Sequence, residues 1–222
     1  LYSYAHVDYE AFLMEQTDLD TARTMKNRAR KLYLRALGYG MRGLEKNYPG
    51  IQQQLFLDPD KAVTRIDSKK KGRDLPFLYW SAAALGSAIS VSRDDAALIA
   101  RLPEVEALID RGLELDEKWD MGAFHAVKIQ LAGAGVGGAD EELIKKHYDR
   151  ALELSKGQNA GIYVAYAEAI SIPNQDGQEF RSLMQRAMSI DLDQYPKNRL
   201  ANSIAQRKAR WLLDHVEDLI LE

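Results

Sequence analysis

The sequence predicts an all-α protein made of antiparallel helix pairs and closed by a C-terminal capping helix. Three observations lead there. Apolar residues recur with a period near 3.6 along almost the whole chain, and strand-like alternation is scarce. The segments between these periodic stretches are short and polar, which makes consecutive helices antiparallel neighbours. One short phrase, a large residue followed three positions later by a small one, recurs at helix ends at a near-constant interval.

Helices are expected near residues 4–16, 20–47, 59–67, 75–91, 94–100, 104–116, 120–133, 140–155, 160–170, 178–190 and 197–220. The second runs towards Gly50, a residue for which the left-handed conformation just past a helix end costs little. Asp58-Pro59 supplies a cap and a first-turn proline for the third. The fourth, from Leu75 to Ser92, carries no charge over 18 positions, the lower limit for a membrane span. Pro76, Gly86 and its serines make it too weakly apolar for that, so it reads as the central buried helix. Val105, Leu108, Ile109, Gly112 and Leu115 share one face of the sixth helix. Ala139-Asp140 caps the stretch in which Ile144, Tyr148, Ala151 and Leu152 share a face, and Gly157 follows it. Phe180, Leu183, Met184, Ala187 and Ile190 make the next apolar face. Tyr195-Pro196 opens the last helix, where Ala201, Ala205, Ala209, Leu212, Val216 and Leu219 form one stripe. Arg199, Arg207, Lys208, Arg210 and Glu217 lie largely off it, the pattern of a solvent-facing cap on a helical stack.

The recurring phrase is Tyr33-x-x-Ala36-Leu37, then Ile109-x-x-Gly112-Leu113, then Tyr148-x-x-Ala151-Leu152, then Met184-x-x-Ala187-Met188. Its small residue lets one helix approach its neighbour closely, and the large residue fills the space beside it. A tetratricopeptide repeat is about 34 residues, one helix pair per repeat. The period here is slightly longer, so the repeats are degenerate and the whole reads as a TPR-like superhelix of 1–222 in a single domain. The stretch 68–74, rich in lysine, is the nearest thing to a linker and has only a loop's length.

Composition sets the class. Hydrophobic residues are 46% and charged residues 28% of 222, as in ordinary globular proteins. The net charge of −3 is weak and gives no reason to expect a nucleic-acid or anionic-membrane partner. With no cysteine, disulfides and thiolate metal sites are excluded for this chain. The chain begins at Leu1, which reads as loss of a preceding segment; Asp8 and Glu10 interrupt any signal-like apolar run in what remains.

Motifs for chemistry are weak. Gly133-x-Gly135-x-Gly137-Gly138 follows a helix rather than a strand and lacks a following Gly-Lys-Ser/Thr, so it reads as an inter-helix turn. His6, His125, His147 and His215 are far apart in sequence and show no metal-ligand spacing. There is no Gly-x-Ser-x-Gly. Asn174-Gln175-Asp176-Gly177 is a turn, and Lys69–Lys71 with Arg73 a solvated loop. These readings predict no enzyme, no metal and no cofactor. Aromatic residues on the first helices of pairs and on the capping helix are the candidate ligand contacts: Tyr79, Trp80, Phe124, His125, Tyr166 and Trp211. Plain core packing is the competing account of each.

Several phrases together carry a family resemblance. They are Arg35-Ala36-Leu37-Gly38-Tyr39-Gly40, Tyr48-Pro49-Gly50, Leu78-Tyr79-Trp80-Ser81-Ala82-Ala83-Ala84 and Gly122-Ala123-Phe124-His125. With them go Tyr166-Ala167-Glu168, Phe180-x-x-Leu183-Met184 and Leu200-Ala201-Asn202-x-x-Ala205-Gln206-Arg207-x-Ala209-Arg210-Trp211-Leu212-Leu213. On these the chain resembles the TPR-type T component (TAtT) of tripartite ATP-independent periplasmic (TRAP) transporters; Gly112 stands where the repeat has alanine. The resemblance implies a non-enzymatic accessory protein on the periplasmic side, lipid-anchored through a cysteine this chain lacks. It further implies docking to the periplasmic solute-binding (P) component, and a channel that holds or passes an apolar organic solute. Self-association stays open. The alternative is a generic TPR scaffold that binds peptides or proteins in its groove.

Overall fold

The computed structural model describes residues 3–67, 71–133 and 140–221. The glycines expected to form a turn at 135, 137 and 138, and Lys69 and Lys70 of the lysine loop, lie outside the described residues. The described residues are overwhelmingly helical, contain no strand, and pack as helix pairs. The chain divides into two compact units, Leu1–Glu117 and Lys118–Glu222.

In the first unit a π-helical turn, Tyr4–Asp8, leads into α1 (Tyr9–Met14), followed by α2 (Leu19–Asn47), α3 (Ile51–Leu57), α4 (Pro59–Val63), α5 (Lys71–Ser90), α6 (Ala96–Ile99) and α7 (Leu102–Asp116). Local chemistry starts three of them, Asp58 as the sequence predicts. Asp18, Asp58 and Asp95 each accept a backbone N–H of the turn they open. α5 is the central element, packed between α2 and α7, with Leu75, Leu78, Leu85 and Ala88 fully buried. Its contact with α2 is close because α2 presents glycines there. A Cβ added to Gly40 would press on Ser81, and one added to Gly43 would press on the Phe77 ring. A fully buried carboxylate pins the same pair: Asp74 accepts from Tyr48 Oη at 2.6 Å and Asn47 Nδ2 at 2.9 Å. Burial first, and then this bond, pushes the Tyr48 hydroxyl pKa up. Near the start of the chain, Tyr33 Oη donates to Asp8 at 2.6 Å, which ties α2 to the opening π turn.

Two expectations change here. Helix α3 is not foreseen by the sequence pattern. Gly50 is left-handed, with φ +80, but it opens α3 while it follows α2, and Glu45 accepts the Gly50 and Gln52 N–H groups across the bend. The small residue of the first recurring phrase also shifts: Ala36 is exposed, and Gly40 makes the close contact.

In the second unit a 3₁₀ turn, Trp119–Met121, precedes α8 (Ala123–Gly133), then α9 (Glu141–Ser155), α10 (Ala160–Tyr166), α11 (Gly177–Met188), α12 (Arg199–Asp214) and α13 (Val216–Leu219). α10 continues into a π-helical turn, Ala167–Ser171. α8 packs on α9, and α10 on both α11 and α12. Ala151, Ala160, Ile162, Phe180, Met184, Ala187 and Ala209 are fully buried in one core. Ala151 and Ala187 thus sit at helix contacts, as their phrases require. The last helix is two: the chain turns at His215, whose Nδ1 lies 2.8 Å from the Trp211 carbonyl. Ala201 is exposed, while Asn202 is buried. Asn202 accepts from the Ala160 N–H and donates to the Gln158 carbonyl, each at 3.0 Å. One turn later Gln206 Nε2 shares its two hydrogens among the carbonyls of Ala187, Met188 and Ile190, at and just past the end of α11. These two amides dock α12 onto the ends of its neighbours.

An open cleft in the second unit

The second unit carries a cleft of about 410 Å³ between α9, α10 and α11. α11 supplies one wall at helical spacing: Glu179, Ser182, Leu183 and Arg186. Tyr148 from α9 and Tyr166 from α10 supply the other, with ring centroids 4.1 Å apart and planes inclined by 31°. Tyr163 meets Tyr148 edge-on at 6.3 Å. Burial raises the hydroxyl pKa of Tyr148, Tyr163 and Tyr166, so these groups stay protonated and can donate; Arg186 acts the other way on the first two.

The charges of the cleft are unevenly committed. Asp176 caps α11 through the Glu179 N–H at 2.8 Å. Glu179 accepts from Ser171 Oγ at 2.8 Å. Lys145 lies 3.5 Å from Asp149. Arg186 is exposed and has no carboxylate partner among the described residues. The recess therefore offers an aromatic and aliphatic floor, protonated phenols and one uncommitted guanidinium. That set suits an organic molecule with an apolar body and an acidic group.

Of the six residues singled out from the sequence, Tyr166 lines this cleft. Tyr79 and Trp80 belong to the first unit, on α5, edge to face with centroids 5.0 Å apart; Trp80 is 44% exposed. Phe124 is fully buried against Trp119 at 5.3 Å. Trp211 is half-buried and stacks on His215 at 4.1 Å. His125 does what sequence spacing hides: its Nδ1 lies 2.8 Å from Nδ1 of His147, a buried contact between α8 and α9. Arg186 and Tyr148 were not singled out as ligand contacts. Arg186 lies one position before Ala187 in the recurring phrase, and a lone exposed arginine carries no sequence signal. Among the described residues no three His, Asp or Glu side chains could hold a metal ion, and no helix is long and apolar enough to cross a membrane.

Paired helices, with no strand among the described residues, define the class, an all-α scaffold. The chain belongs to the TAtT family, the TRAP transporter T-component, whose sequence profile matches residues 1–220. It is also similar to an uncharacterized protein of Treponema pallidum (strain Nichols), 25% identical over 224 residues, a match that covers 100% of this chain and 69% of that protein.

Proposed function

We propose that this T-component works on the periplasmic side as a lipid-anchored, non-catalytic partner of a TRAP solute-binding protein, and that it holds or passes an apolar organic solute. The observation that carries the solute part is the cleft at Tyr166, whose lining of Tyr148, Tyr166, Leu183 and Arg186 matches a ligand with an apolar body and an acid group. Tyr79 and Trp80 in the first unit, and Phe124, His125 and Trp211 in the second, remain further proposed ligand contacts, each within its own unit. The docking part rests on family membership.

Two measurements test this reading. Binding of a fluorescent fatty-acid analogue to the whole chain should weaken about tenfold in Arg186→Ala, the size of a lost charge-assisted hydrogen bond. Sedimentation with the cognate solute-binding protein should reveal a complex, which can be small and transient. Absence of analogue binding removes the solute role. Absence of a complex, together with capture of unrelated extended peptides, assigns the protein to generic scaffolds instead.

A further inference from the structure

The net charge of −3 hides a strong local imbalance. α2 carries Arg23, Lys26, Arg28, Arg30, Lys31, Arg35, Arg42 and Lys46 against only Asp20 and Glu45. Three of the cations are matched: Arg23 to Asp20, Lys26 to Glu15 and Arg30 to Asp95. Glu45 is turned away, towards the Gly50 and Gln52 N–H groups. The other five, Arg28, Lys31, Arg35, Arg42 and Lys46, are exposed and have no carboxylate partner among the described residues.

Their spacing puts them on one face of the helix. At 1.5 Å per residue the row is about 27 Å long. Tyr39 fills its centre at 57% exposure. Arg35 Nη2 lies 3.4 Å from the Tyr39 hydroxyl, and the Arg42 guanidinium lies 4.4 Å from the ring centroid. The contacts of Gly40 with Ser81 and of Gly43 with Phe77 show that α2 and α5 run antiparallel. In such a pair the residues just before Gly40 and Ser81 fall on the same side, so exposed Trp80 lies on the side of the pair that carries Tyr39.

Like charges at helical spacing repel and weaken an isolated helix, so an unmatched row is not the arrangement that stability favours. We propose that this face of α2 is where the protein lies against the anionic phospholipid headgroups of a bilayer. The row is of one sign and lies along a single helix, which suits a lattice of phosphates. Arginine, lysine, tyrosine and tryptophan are the side chains that settle at headgroup depth. A folded protein partner would need an acidic ridge of the same length.

The test is co-sedimentation of the whole chain with vesicles of phosphatidylcholine alone and with a one-third share of phosphatidylglycerol. Binding is expected only to the latter, and it should weaken at least tenfold between about 0.1 M and 0.5 M salt. The variant Arg28→Glu/Lys31→Glu/Arg35→Glu/Arg42→Glu should abolish it. The milder Arg35→Gln/Arg42→Gln, checked for fold by circular dichroism, should reduce it several-fold, and Trp80→Ala should do the same. Equal binding to both vesicle types, or undiminished binding by folded stripe variants, overturns the proposal. So does absence of vesicle binding by the parent, with stripe reversal instead abolishing association with an acidic protein.

Discussion

Gly40 and Ser81 offer a sharp test of how α2 and α5 meet. A methyl group at Gly40 would lie under 3.0 Å from Ser81 Oγ but 3.4 Å from Ser81 Cβ, which is ordinary contact. Ser81 is fully buried, and its Oγ has no hydrogen-bond partner. In Gly40→Ala the hydroxyl must leave its well and press on packed neighbours, at a cost of about 1–3 kcal/mol. Alanine over glycine in a helix interior offsets about 1 kcal/mol of that. The net is a loss of about 0–2 kcal/mol, or up to about 8 °C in Tm for a chain of this size. In a Ser81→Ala background the clash is gone and only the helix-propensity gain is left, so the same substitution should stabilise by about 1 kcal/mol. The sign change is the readout. Urea unfolding of all four proteins, followed by circular dichroism, gives a coupling energy of about 1–3 kcal/mol. An effect of Gly40→Ala that is equal in both backgrounds would refute the close contact and the register drawn from it.

Asn202→Ala strands the Ala160 N–H and the Gln158 carbonyl together and should cost about 2–3 kcal/mol in chemical denaturation, against near zero for a surface Asn→Ala change. The Glu45 carboxyl is held below its ordinary pKa by the Gly50 and then the Gln52 N–H groups. A depressed carboxyl stabilises the fold above its unfolded pKa and loses that effect as pH falls through the folded value. Glu45→Gln should therefore lower the urea midpoint at neutral pH, with the gap closing in acid below the usual carboxylate range; a gap independent of pH would contradict the bend geometry at Gly50.

How much of this was legible in the sequence follows from the range of each signal. Caps act within one turn, so Asp58 and Asp140 mark helix starts that the structure keeps. The uncharged stretch from Leu75 names the central helix because most of its positions are buried or half-buried, where charge is costly. α3 was hidden because its seven residues, Ile51–Leu57, include three glutamines and leave Phe56 and Leu57 largely exposed, so no apolar period develops. Ala36 misled for a related reason: its phrase matches the others in letters, but the neighbour that would need a small residue meets Gly40 instead. The cleft was half legible. Tyr166 stood out as an aromatic, whereas Tyr148 served as a packing residue of the repeat, and Arg186 gains meaning only from the rings it faces. The α2 charges were visible singly, yet summing over the whole chain averaged them away.

The contact between His125 and His147 makes two chemically identical rings unlike. Nitrogens 2.8 Å apart leave room for a single hydrogen, so one Nδ1 must donate while the other accepts. In the neutral pair the rings are then of opposite tautomer, and one Nε2 carries its hydrogen while the other does not. The seam between those helices thus fixes both tautomers through one shared hydrogen, and two side chains identical in formula present different faces to their surroundings.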